Sequence, residues 1–146
     1  METPHETTYS GERHARILVA EDDVEMRRLV IESLRADGHE AVDVTDGGQL
    51  LIQITNFYRL RPDPEPIDLV VTDIRMPVCS GLEIVEALRN AHWTTPIVIM
   101  TAFGDGETRT RAKDLGAVLL DKPFKMKTLR EIVRVLLLRR TTPPED

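Results

Sequence analysis

The sequence predicts an α/β fold: a doubly wound sheet of five parallel strands, in the order 2-1-3-4-5, with helices on both faces. Three observations predict it. Apolar runs alternate with segments of helical spacing from residue 16 to residue 140. The runs are short and rich in β-branched residues, as strands buried on both faces are. A chain of 146 residues is about the length at which one core can bury most of its apolar surface, which leaves no room for a second domain.

The strands are expected at Arg16 to Glu21, Glu40 to Thr45, Ile67 to Asp73, Pro96 to Thr101 and Ala117 to Asp121. The first helix carries Met26, Leu29, Val30 and Leu34 on one face and stops near Gly38, a residue suited to the left-handed turn after a helix. The second starts at Asp46, with Gln49 as a reciprocal cap, and the third at Ser80, with Glu83 completing a capping box. The fourth runs from Asp105 to Leu115 and ends at Gly116, and the fifth places Met126, Leu129, Val133 and Leu136 on one stripe. The core domain spans 15–140, between polar ends at 1–14 and 141–146. "RLRPDPEP", with three prolines, reads as an exposed loop.

Composition narrows the function. No apolar run approaches the ~20 residues of a membrane span, and the N-terminus lacks the basic-then-apolar pattern of a signal peptide, so a cytoplasmic protein is expected. The single cysteine, Cys79, allows no internal disulfide. A net charge of −6 argues against direct nucleic-acid binding through the whole surface, although Lys125 to Arg140 holds six Lys or Arg and one Glu. With Leu136, Leu137 and Leu138 in succession, that last helix reads either as a docking face or as a solvated basic helix.

In an open parallel sheet, ligands bind outside the carboxyl ends of the strands. Here strand one ends on Glu21-Asp22-Asp23, strand three on Asp73, strand four on Thr101 and strand five on Asp121-Lys122-Pro123. In the order 2-1-3-4-5 these ends converge on one crevice. Two carboxylates about 4 Å apart repel by roughly 4 kcal/mol at an effective dielectric near 20, so the cluster implies a cation. Lys122 supplies one charge, and hard oxygen ligands with room for water suit Mg²⁺. Histidines and cysteines are too scattered for zinc. A carboxylate beside Mg²⁺, a lysine and a hydroxyl can accept a phosphoryl group.

Together, the acidic pair after strand one, "TDIRMPVCSG" after strand three, "MTAFG" after strand four and "DKPF" after strand five resemble the response regulator receiver domain of two-component signalling. The resemblance covers residues 15 to 140 and implies the flavodoxin-like receiver fold. It implies Asp73 as phosphoacceptor, Asp22 as a direct metal ligand, Glu21 acting through water, and the backbone carbonyl of Arg75 as a third ligand. Asp23 falls one position later, as a cap of the first helix. Thr101 resembles the switch hydroxyl and Lys122 the phosphate-pairing lysine, with a cis bond to Pro123. The implied partners are a sensor histidine kinase or phosphotransfer protein, and a downstream protein that reads the face of helix four, strand five and helix five. The chain would be no enzyme beyond its own phosphorylation and dephosphorylation. It would stand alone or belong to a longer regulator, with homodimer formation left open. Departures are Leu119, where receivers often carry an aromatic residue, and the bulky Arg75 and Phe103, expected to slow dephosphorylation. The rival readings are a phosphorylation-independent interaction module of the same fold and an aspartyl-phosphate phosphatase.

Overall fold

The computed structural model describes residues 15–60, 67–76, 79–102 and 104–140, with backbone alone for 55–60 and 140. The polar ends, the proline-rich stretch from 61 to 66 and Phe103 lie outside the described residues. The elements run β1 (Arg16–Ala20), α1 (Val24–Ala36), β2 (Glu40–Val44), α2 (Gly47–Leu60), β3 (Leu69–Asp73), α3 (Gly81–Asn90), β4 (Ile97–Thr101), α4 (Gly106–Asp114), β5 (Val118–Asp121) and α5 (Met126–Arg140). All strand pairs are parallel, in the order β2-β1-β3-β4-β5. The strands are one or two residues shorter than expected, and α2 runs to Leu60, into the stretch expected to be loop.

Alternation along the strands divides the core between two faces. Ile17, Val19, Leu69, Val71, Val98 and Met100 pack with α1 and α5, through Val30, Leu34, Leu129 and Val133. Leu18, Ala20, Val70, Ile97 and Ile99 pack on the other face with Leu50 of α2, Ile84 and Val85 of α3, and Ala112 of α4. Each fully buried Ile, Leu or Val contributes about 1.5–3 kcal/mol, so the sheet is a rigid support for what its ends carry. Among the described residues no helix is long and apolar enough to cross a membrane.

Caps set where the helices begin and end. Asp23 accepts from the Met26 amide and Ser80 from the Glu83 amide, with the Glu83 carboxylate accepting from Ser80 in return. At α2 Asp46 accepts from Gln49, but the reciprocal arm reaches the Thr45 amide, at a long 3.4 Å. Gly38 and Gly116 sit at φ 93° and 75°, where a side chain would strain the turn.

Two helix faces differ from the sequence pattern. Leu29 is 50% exposed, and the buried residues of α1 are Val30, Ile31 and Leu34. In α5 Leu137 is buried and Leu136 only partly so, while the most exposed large apolar residue is Val135. Helix α4, "GETRTRAKD", buries Ala112 alone. It is held instead by arginines: Arg109 to Asp121 at 2.6 Å, Arg111 to Glu86 at 2.8 Å, and Arg89, which donates to the carbonyls of Leu115, Trp93 and Thr95.

Candidate functional site

The register brings the strand ends level. Ala20 lies beside Thr72, Asp73 beside Met100, and Thr101 beside Asp121. Three chain segments therefore deliver Glu21, Asp73 and Lys122 to one point, as the sequence anticipated.

Lys122 joins the other two. Its Nζ donates to Glu21 Oε1 at 2.9 Å and to Asp73 Oδ2 at 3.2 Å. The second Glu21 oxygen, Oε2, accepts from the Asp23 amide at 3.0 Å, so that buried carboxylate is held at both oxygens. Asp73 Oδ1 accepts from the Ile74 amide at 2.8 Å, which fixes the carboxyl group at the mouth of β3. The Ile74 amide also donates to Met100 and the Lys122 amide to Thr101, so main-chain bonds continue the sheet past both site residues. The Lys122–Pro123 bond is cis, as the motif implied.

Burial sets the electrostatics. It pushes the Glu21 carboxyl above the usual glutamate range, and the Asp73 charge adds to the rise, while bonds from the Asp23 amide and Lys122 oppose it. For Lys122 burial pulls downward, but the carboxylates of Glu21 and Asp73 outweigh it and hold the ammonium above the ordinary lysine value. Lys122 is thus a fixed cation between two carboxylates.

Asp22, exposed at the rim, completes an acidic group. One oxygen each from Glu21, Asp22 and Asp73 lies within 4.8 Å of the others. This all-carboxylate oxygen set, open to water on the Asp22 side, fits a hard cation such as Mg²⁺. Thr101 is fully buried on β4, and Arg75, exposed, sits in the bend after β3. Leu119 is partly buried against the core beneath α4, where the sequence pattern would have allowed an aromatic ring.

The loop after Asp73 is packed tightly against the next helix. A Cβ on Gly81 would lie 2.6 Å from the Asp73 carbonyl oxygen and 3.2 Å from Ile74 Cα, so only glycine lets α3 start directly under the site. Sequence reasoning did not find Arg27, whose Nη1 donates to the Glu21 carbonyl at 2.7 Å. The available signal was a basic residue on the inward side of α1.

A doubly wound parallel sheet with carboxylates, a hydroxyl and a lysine at adjacent strand ends defines a receiver-type signalling domain. The chain belongs to the response regulator receiver domain family, which matches residues 17–134. A probable transcriptional regulatory protein of Picosynechococcus is 34% identical over 134 residues, covering 88% of this chain and 53% of that protein. PdtaR of Mycobacterium tuberculosis, a transcriptional regulatory protein, is 30% identical over 125 residues, covering 85% of this chain and 57% of that protein. The chain spans about half the length of these curated relatives. Among solved structures it is similar to the response regulator TrrA of Thermotoga maritima in complex with Mg²⁺ and beryllofluoride: 28% identity, TM-score 0.70, covering 84% of this chain and 98% of that one.

Proposed function

We propose that this receiver domain takes a phosphoryl group onto Asp73, with Mg²⁺, from a sensor histidine kinase or phosphotransfer protein, and that the modification switches a partner-binding surface. The observation that carries this is the Lys122 ammonium between Glu21 and Asp73, in a carboxylate group spaced for a divalent cation. Bound Mg²⁺ would supply neutralisation of the phosphoryl oxygens, with Asp22, Asp73 and the Arg75 carbonyl as ligands and Glu21 acting through water.

The chain's own groups do the rest. A free oxygen lone pair of Asp73 attacks phosphorus, an O–P bond forms, and the P–N bond to the donor histidine breaks with its electron pair returning to the imidazole. The Ile74 amide holds the other carboxylate oxygen and keeps the nucleophile oriented. Lys122 pairs with the arriving charge. Thr101, one residue past the strand neighbour of Asp73, turns its hydroxyl toward the phosphoryl oxygen. The chain catalyses only this transfer and the hydrolysis of the aspartyl phosphate, in which water takes the phosphoryl group as inorganic phosphate and the carboxylate is restored, in the cytoplasm.

Phosphorylation then shifts an existing equilibrium between two conformations, read by a downstream protein at the face of α4, β5 and α5. The test is incubation with Mg²⁺ and acetyl phosphate, or with beryllium fluoride, followed by intact mass and NMR on wild type and Asp73→Ala. An Asp73-dependent change is expected. Its absence with every donor would leave a phosphorylation-independent interaction module.

A further inference from the structure

The inward side of α1 begins on a charge. Positions 27, 30, 31 and 34 share one helix face, and the last three are buried in the core. The first is Arg27, whose side chain is only 15% exposed. A guanidinium so placed needs partners, and Arg27 has one just past β1 and one on β2. Nη1 donates to the carbonyl of Glu21, the residue that follows β1, at 2.7 Å. Nε lies 3.6 Å from Asp43 Oδ2 on β2, an ion pair too long to be a hydrogen bond.

The Glu21 side chain is already held by Lys122 and by the Asp23 amide. Arg27 adds a restraint on the main chain of the same residue from α1, with Asp43 of the edge strand β2 as its second partner. Asp22 is the next residue along. A carbonyl fixed at Glu21 fixes the peptide plane from which Asp22 starts.

We infer that Arg27, backed by Asp43, is a positioning residue for the divalent-cation site, holding the turn from which Glu21 and Asp22 project. The inference rests on the Mg²⁺ reading above. Two effects of opposite sign meet at this residue. As a nearby positive charge Arg27 repels a cation, so neutralising it would tighten Mg²⁺ binding. As a brace it orders ligands, and removing it would weaken binding. Groups that support metal ligands from outside the ligand set typically carry 10–100-fold in affinity. A charge already offset by the neighbouring Asp43 carboxylate carries less. The brace therefore dominates.

The test is a Mg²⁺ titration of the whole chain as wild type, Arg27→Met, Arg27→Lys and Asp43→Asn, followed by the amide shifts of Asp73 and Ile74. Melting of each metal-free variant in EDTA is measured alongside. Arg27→Met is expected to raise the Mg²⁺ Kd by about 10-fold. Arg27→Lys, which keeps the charge and one donor, should raise it less, and Asp43→Asn least. A Kd that is unchanged or lower in Arg27→Met overturns the inference, as does a lower melting temperature with unchanged affinity. Should Arg27→Met not fold, the other two variants decide, and wild-type affinity in both overturns it. A wild type that binds no Mg²⁺ overturns the reading of the site itself.

Discussion

Lys122 and Glu21, 101 residues apart in sequence, meet at 2.9 Å, the ammonium held by a carboxylate that has no exposed surface. The same ammonium reaches Asp73, so one cation balances two anions. Removing it strands both. Lys122→Met is expected to destabilise the metal-free domain by about 3 kcal/mol, the scale of breaking a buried ion pair from one side. Millimolar Mg²⁺ should restore much of that loss, because a cation that binds only the folded state stabilises it by mass action. Urea denaturation with Mg²⁺ and with EDTA checks both statements.

Gly81 touches the site through the main chain. Its missing side chain leaves room for the Asp73 carbonyl and Ile74, so Gly81→Ala forces the β3–α3 loop apart. A cost of about 2 kcal/mol is expected, as for other overpacked positions. Phosphorylation by acetyl phosphate should slow as well, since the Ile74 amide that orients Asp73 lies in that loop. Rates at matched folded fraction separate the two effects.

The Asp37–Arg130 pair ties the end of α1 to α5 and gives the domain part of its acid sensitivity. Arg130 donates to both carboxylate oxygens, and these bonds hold the Asp37 carboxyl below its ordinary value of 3.8. A carboxyl lowered by folding contributes stability that is present above the unfolded value and lost as pH falls through the folded one. Wild type should therefore exceed Asp37→Asn in stability at neutral pH, and the two should converge below about pH 4. Denaturation midpoints from pH 7 to pH 3 show whether they do.

Arg75 stands exposed two residues after Asp73, a position that the resemblance to receivers places beside the path of the hydrolytic water. Arg75→Asn, which removes bulk at that approach, should shorten the lifetime of the phosphorylated form several-fold. A time course of phosphate loss measures it, and an already fast loss that the substitution leaves unchanged counts against the role.

What the sequence made legible follows from periodicity and from strand ends. Strand order, the caps at Asp23 and Ser80, and the meeting of Glu21, Asp22, Asp73 and Lys122 all rest on where an apolar run stops, which a sequence displays directly. The face of α1 was misjudged for a physical reason. Hydrophobic patterning assigns the inward side by apolar residues and so selected Leu29, whereas the structure gives part of that side to Arg27, whose charge is absorbed by a carbonyl. Such a bond has no period. The arginines around α4 were hidden likewise, because a guanidinium bound across elements looks, in one dimension, like any solvated charge.

That helix has a consequence of its own. With Ala112 as its single buried residue, α4 brings little apolar burial of its own to the sheet. Its moorings are ionic and main-chain bonds, and ionic moorings loosen as salt rises. The segment after Thr101 is thus fastened by links that water and ions can replace one for one, which suits that surface to the switching proposed above.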